Sequence, residues 1–260
     1  MPHVVALYRY PVKGFTPEER DELIVQDDGR IAGDRVLAFR FAGAATPEQQ
    51  DGLDYWPKSK GLALQSFPSL AALRLRLRDG VVRITRDDEV LVEAGLDAEG
   101  RARLVDAVTS FVRTTPEASL LDGRLPLVLV GDGTRARFQD RARGYVTVHG
   151  RGSVRALEHA LERDADDRRF RSNVVVDDLA AWEELSWSGR IRIGDVEFTT
   201  EGPVVRCLAP HADPDTGVRN APILTTLTRR IGQDQPTLGR LLLPAVGGGV
   251  IRVGDELLVM

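Results

Sequence analysis

The chain has 260 residues and a mass of 28.6 kDa, with 42% hydrophobic and 28% charged residues, which excludes disorder and a fibrous fold and leaves enough apolar surface for one sizeable core or two modest ones. Lys and Arg (35) against Asp and Glu (39) give a net charge of −4, without the basic excess of a nucleic-acid binder, so an anionic partner has to meet a local patch. A single cysteine, Cys207, excludes an internal disulfide, a CxxC zinc site and a four-thiolate iron–sulfur cluster, and fits a reducing, cytoplasmic compartment.

The N-terminus, Met1 to Arg9, has no basic region ahead of a sustained apolar one, so no secretory signal is expected. Strands are expected through most of the first third. Leu73, Leu75 and Leu77 alternate with Arg74, Arg76 and Arg78 before Asp79-Gly80 turns the chain into Val82 and Ile84; side chains alternate with period two along a strand and Asp-Gly suits a type I′ turn, so this is a hairpin with an apolar and a cationic face. The arginine ladder reads as a solvated sheet face, with phosphate binding as the alternative. From Glu99 to Thr115 the period becomes helical, with Leu104, Val108, Phe111 and Val112 on one side and Pro116 as the stop.

Leu125 to Val130 then reads as a buried strand, followed by a Gly131-Asp132-Gly133 loop. A second helix is expected from Ser153 as N-cap, with Val154, Leu157 and Leu161 inward. A third runs from Pro222 through Leu227 and Ile231 to Gly232. The longest near-apolar stretch, Leu241 to Ile251, is broken by Pro244 and three glycines and is too short to span a bilayer. Two similar segments, Ile191 to Phe198 and Ile251 to Leu258, each place a Gly-Asp turn between short strands and predict neighbouring hairpins in one closed or nearly closed sheet. The expected division is a smaller N-terminal β-barrel-like domain over residues 1–120 and a β-barrel with helices over residues 121–260.

Cys207 lies in Gly202-Pro203-Val204-Val205-Arg206-Cys207-Leu208-Ala209-Pro210. A lone cysteine is commonly a small buried hydrophobe, but the neighbouring Arg206 favours a thiolate, and the two prolines imply a shaped loop; such a thiolate suits sulfur chemistry or a soft metal. His211-Ala212-Asp213-Pro214-Asp215-Thr216-Gly217 follows, a strong turn signal in which Asp213 and Asp215 are either loop-forming or acid–base groups. No histidine pair has zinc-ligand spacing. Arg168-Arg169-Phe170-Arg171-Ser172-Asn173 runs into Val174-Val175-Val176 and is either a solvated loop after the acidic helix end or a set of donors for a phosphate at a strand start. Lys13 and Arg35 each stand beside a glycine turn.

Together these segments resemble the MOSC family, the molybdenum cofactor sulfurase C-terminal domain proteins, across nearly the whole chain. Tyr10-Pro11-Val12-Lys13 and Gly33-Asp34-Arg35 are similar to the family's N-terminal β-barrel domain; Arg169 to Val176, Trp182 to Trp187, Ile193-Gly194-Asp195, Arg206-Cys207 and Asp213 to Gly217 are similar to its core domain in order and spacing. The resemblance implies a mainly β fold with a few helices and a molybdenum cofactor, a phosphate-bearing pyranopterin dithiolene whose metal is held by Cys207. It implies cofactor contacts from Lys13, Arg35, Arg171, Asn173 and Arg206. Gly14 stands where many relatives have serine, Ser172 where they have proline and Leu185 where an aspartate is common, while Leu208 to His211 replaces a threonine-rich stretch.

The function so implied is an oxidoreductase that reduces N-hydroxylated or N-oxygenated compounds. It would take electrons from a separate reductase or ferredoxin-like protein, since no flavin fingerprint is present; neither nucleic acid nor membrane is an expected partner. The alternatives are a sulfur carrier using a Cys207 persulfide and a non-catalytic cofactor-binding module. The pyridoxal-phosphate domain that precedes this one in the sulfurases is missing, so autonomous cysteine desulfuration is not expected.

Overall fold

A computed structural model describes residues 1–260. The fold is mainly β, built on a curled sheet of eight strands in the order Leu257–Val259, Arg190–Ile193, Val196–Val205, Thr237–Pro244, Val146–Gly150, Val174–Asp177, His3–Arg9 and Glu18–Arg20. Its ends approach one another where His3 bridges Glu256, so the sheet nearly closes. Every neighbouring pair is antiparallel except Val146–Gly150 with Val174–Asp177; a parallel pair needs a crossover, supplied by helix α2, Arg151–Leu161. No helix is long and apolar enough to cross a membrane.

The expected hairpin forms. Arg74–Arg78 pairs with Val81–Arg86, and Asp79 and Gly80 both take positive φ, 50° and 75°, as a type I′ turn requires. Leu73 and Leu75 are buried while the arginines point out or toward the rim. A third strand, Glu89–Ala94, completes this sheet. Helix α1, Ala98–Arg113, packs across it with Leu104, Val108, Phe111 and Val112 buried, and Asp97 caps it by accepting from the Gly100 amide at 2.7 Å.

Three expectations need correction. Helix α2 begins at Arg151, after Gly150, so Ser153 lies inside it; the Ser153 hydroxyl instead donates to buried Glu184 at 2.7 Å and accepts from the Trp182 amide at 2.8 Å, tying α2 to the short helix α3, Glu183–Ser186. The third helix is one α turn, α4 (Ile223–Thr225), followed by a π turn over Thr226–Arg230. There the Thr228 hydroxyl competes for the Leu224 carbonyl at 3.0 Å and the Ile231 amide reaches back five residues to Thr226.

The last correction concerns the repeated Gly-Asp segments. Ile191 to Phe198 is a hairpin, but Ile251 to Leu258 is not. Its first strand, Gly249–Arg252, pairs with Glu22–Val25 and its second, Leu257–Val259, with Arg190–Ile193. The two turns lie against each other: the Gly194 amide donates to the Glu256 carbonyl, and a Cβ on Gly194 would stand 2.3 Å from an Asp255 carboxylate oxygen.

Two main cores result. One of 24 buried residues spans Val12 to Leu129; the other, of 18, joins Val4, Leu7, Leu23, Val25 and Ile31 to residues between Val146 and Leu257. The first 31 residues thus run through both.

Candidate functional site

Strand Val196–Val205 carries the chain to the cysteine. Its register against Thr237–Pro244 shifts on both sides of Pro203, which has no amide proton to give a ladder. The strand ends at Val205, and the chain then makes a single 3₁₀ turn at Ala209–His211. Cys207 is therefore held at the sheet's end, partly exposed. It opens onto a cavity of about 320 Å³ whose wall is drawn from both ends of the sequence, from Lys13 and Arg35 to Arg171 and Leu241.

The wall is strongly cationic. Lys13, Arg35, Lys58, Arg141, Arg143, Arg169, Arg171 and Arg206 face a single carboxylate, Asp140, in a chain whose overall charge is −4. Such a pocket concentrates anions whatever the net charge of the molecule.

Each cation is fixed differently. Arg35 and Arg171 both sit at positive φ, 52°, and place their guanidinium carbons 4.8 and 4.3 Å from the Tyr10 ring centroid, with Tyr10 wholly buried between them. Arg35 is ion-paired with Asp34 and donates to the Arg171 carbonyl at 3.3 Å. Arg171 donates only to a carbonyl, that of Phe15 at 2.7 Å, and burial lowers its pKa, with Tyr10 opposing. Arg206 donates to the carbonyls of Leu238 and Phe170; burial pulls it down to about 10, against the opposing pull of Cys207. Arg171 and Arg206 are thus half-buried cations whose hydrogen-bond partners are neutral carbonyls, an arrangement that favours an incoming negative charge.

Lys13, 6% exposed, pairs with Asp140 at 3.0 Å and also donates to the carbonyls of Trp56 at 3.2 Å and Gln139 at 3.4 Å. Burial lowers its pKa and Asp140 opposes that. Asp140 keeps more than half of its side chain in solvent, and Lys13 and Lys58 hold its carboxyl well below the usual range.

Asn173 is the expected site residue that does not line the cavity. Fully buried, it donates to the Tyr8 carbonyl at 3.1 Å and accepts from the Thr147 hydroxyl at 3.0 Å. It ties His3–Arg9 and Val146–Gly150 to the start of Val174–Asp177, and Thr147, not Asn173, meets the cavity. Asp213 and Asp215 are structural: one Asp213 oxygen accepts from the amides of Asp215 and Thr216, the other pairs with Arg169, and Asp215 bridges Arg168 and Arg74. The arginine ladder is thus not wholly solvated.

Several wall residues had no distinctive sequence signal. Arg169, 5% exposed, was seen only as one of a cluster; it donates to the carbonyls of Pro210, His211 and Ala212 and to Asn220, and so locks the segment after Cys207. Arg141, Arg143 and Asp140 lie in 131–145, a stretch without helix or strand. Their alternation with small residues was the available sign. Gln65 and Gln139 also line the wall, each with a buried side-chain oxygen that has no hydrogen-bond partner, as has the Nε of Arg169.

Residues 136–258 match the family model described as the MOSC domain. Among curated proteins the chain is 40% identical over 79 residues to a molybdenum cofactor sulfurase of Drosophila pseudoobscura pseudoobscura, a segment covering 30% of this chain and 10% of the sulfurase. It is 33% identical over 124 residues to mitochondrial amidoxime-reducing component 1 of Mus musculus, covering 44% of this chain and 36% of that protein. The aligned segments thus span a small part of these relatives. Among solved structures, the YUAD protein from Bacillus subtilis superposes with a TM-score of 0.46 at 12% identity, over 99% of this chain and 94% of that one.

Proposed function

From the match of residues 136–258 to the MOSC domain model, we propose that the chain binds a molybdenum cofactor in the Cys207 cavity and acts as an oxidoreductase on N-hydroxylated or related N-oxygenated compounds. The observation that carries this reading is the meeting of the chain's single thiol with eight basic side chains on one wall. The residues fit such a group: a soft thiolate suits molybdenum, Arg171 and Arg206 offer half-buried positive charge to a phosphate, and the unpartnered oxygens of Gln65 and Gln139 are acceptors for ring N–H donors.

When bound, the cofactor would supply a metal centre able to take up the substrate's oxygen. The net change is RNHOH + 2e⁻ + 2H⁺ → RNH₂ + H₂O, with the electrons delivered by a separate reductase or ferredoxin-like partner. Cys207 would hold the metal. Lys13, Arg35, Arg171 and Arg206 would hold the anionic part. Arg169 keeps the segment after Cys207 in place, and Asn173 acts at one remove by fixing Thr147.

The test is molybdenum and pterin content of protein from a cofactor-making host, wild type against Cys207→Ser. About one metal per chain that is lost in the variant, with the melting temperature within a few degrees of wild type, is expected, because the substitution is nearly isosteric. Metal retained by the variant overturns the ligand assignment. Metal absent from both, with a persulfide on Cys207, moves the reading to sulfur transfer, for which the partly exposed thiol and the relatives named as sulfurases are the support.

A further inference from the structure

All three ammonium protons of Lys13 are spent. Its acceptors are the Asp140 carboxylate at 3.0 Å, the Trp56 carbonyl at 3.2 Å and the Gln139 carbonyl at 3.4 Å, and an ammonium has three donors and no more. Two of the three are main-chain atoms. The third is a side chain that is 57% exposed, carried in 131–145 outside any helix or strand, and the sole carboxylate on the wall. Its other oxygen lies 3.6 Å from Lys58.

We infer that Asp140 is a resident counter-ion, which neutralises Lys13 while the cavity is empty and is displaced from it by the phosphate of an entering ligand. This rests on the reading that the cavity takes a phosphate-bearing cofactor. A buried ammonium is costly to leave without a counter-charge, which Asp140 supplies; an incoming phosphate supplies the same charge, and two anions on one ammonium repel. The main-chain acceptors move only with the backbone of their segments, whereas the exposed carboxylate can swing into solvent by side-chain rotation alone. Phosphate binding is then an exchange of anions, and Asp140 sets the threshold that a ligand has to exceed. A weakly charged ligand does not displace it; a phosphomonoester or pyrophosphate does.

The experiment titrates inorganic pyrophosphate into the 260-residue chain, produced in a host that cannot make the cofactor, and reads the dissociation constant by calorimetry for wild type, Asp140→Asn and Asp140→Ser. A melting curve checks that each variant is folded. Removing the competing carboxylate is expected to tighten pyrophosphate by about tenfold, and Lys13→Gln in the Asp140→Asn background is expected to abolish that gain. Equal or weaker binding in the folded variants overturns the inference and makes Asp140 a group that merely positions Lys13; no binding to any form overturns it too. The cofactor reading is judged separately, by molybdenum per chain in wild-type protein from a cofactor-making host, so the two can fail independently.

Discussion

At His211 a hydrogen bond ties the ring into the fold. The Nε2 atom accepts from the Leu224 amide at 3.1 Å, so this nitrogen carries no proton and the ring joins the segment after Cys207 to helix α4. Burial, then Arg219 and Arg169, lowers its pKa from the ordinary value. A histidine that is harder to protonate when folded costs stability on the acid side: the unfolded chain takes up the proton first, so stability is present above a pH of about 6.5 and declines as the pH falls below it. The urea midpoint of wild type is expected to drop between pH 7.5 and 5.5 by more than that of His211→Gln, which keeps an acceptor and does not titrate. Equal drops would place the pH dependence elsewhere. His211 follows Cys207 by four residues in sequence, and its Nε2 is engaged by a helix start that the fold brings near.

Among the elements, the Asp213-to-Gly217 turn shows how a local signal acquires a second role. The sequence specifies a turn because aspartate side chains cap nearby amides, and Asp213 does so. That Gly217, at φ +75°, lies against the 3₁₀ helix Pro68–Ala72 is a tertiary fact: an added Cβ would stand 2.4 Å from the Pro68 carbonyl oxygen and 2.6 Å from Ser69 Cα. Arg74–Asp215 and the Arg219 bond to the Gln65 carbonyl cross the same seam. Gly217→Ala is therefore expected to destabilise by about 2 kcal/mol or more, from left-handed backbone strain plus backbone overlap. In thermal unfolding that is a fall of several degrees, and a loss below about 0.5 kcal/mol would show that the seam gives way.

Over the whole molecule, the decisive feature is that the first strand is not at an edge. His3–Arg9 lies between Val174–Asp177 and Glu18–Arg20, with Val4 and Leu7 fully buried in the second core. Removing residues 1–9 strips one side of Val174–Asp177 and opens two core positions. Each large buried side chain lost costs about 2–5 kcal/mol against a total stability of about 5–15. A chain of residues 10–260 is expected to lose cooperative melting and near-ultraviolet dichroism, and cooperative melting near the wild-type temperature would show that the strand is dispensable. The proposed division near residue 120 has to accommodate this threading: strands Ala38–Phe41 and Leu127–Val130 pair across it.

By itself the sequence determined what depends on neighbours along the chain: the Asp79-Gly80 hairpin, the buried face of α1, the Ile191-to-Phe198 hairpin and the motifs carried by Cys207, Arg171, Lys13 and Arg35. Period, turn chemistry and residue type act over a few residues, so one sequence shows them. Only the tertiary structure decided which strands pair over long separations, so Ile251 to Leu258 splits between two sheets although it mimics a hairpin. It also decided that Asn173 serves the sheet, that Arg169 locks the segment after Cys207, and that Asp140 occupies Lys13. Those roles depend on burial and on partners more than forty residues away for Arg169 and more than a hundred for Asp140, where desolvation and charge pairing, which no local pattern encodes, set what each side chain does.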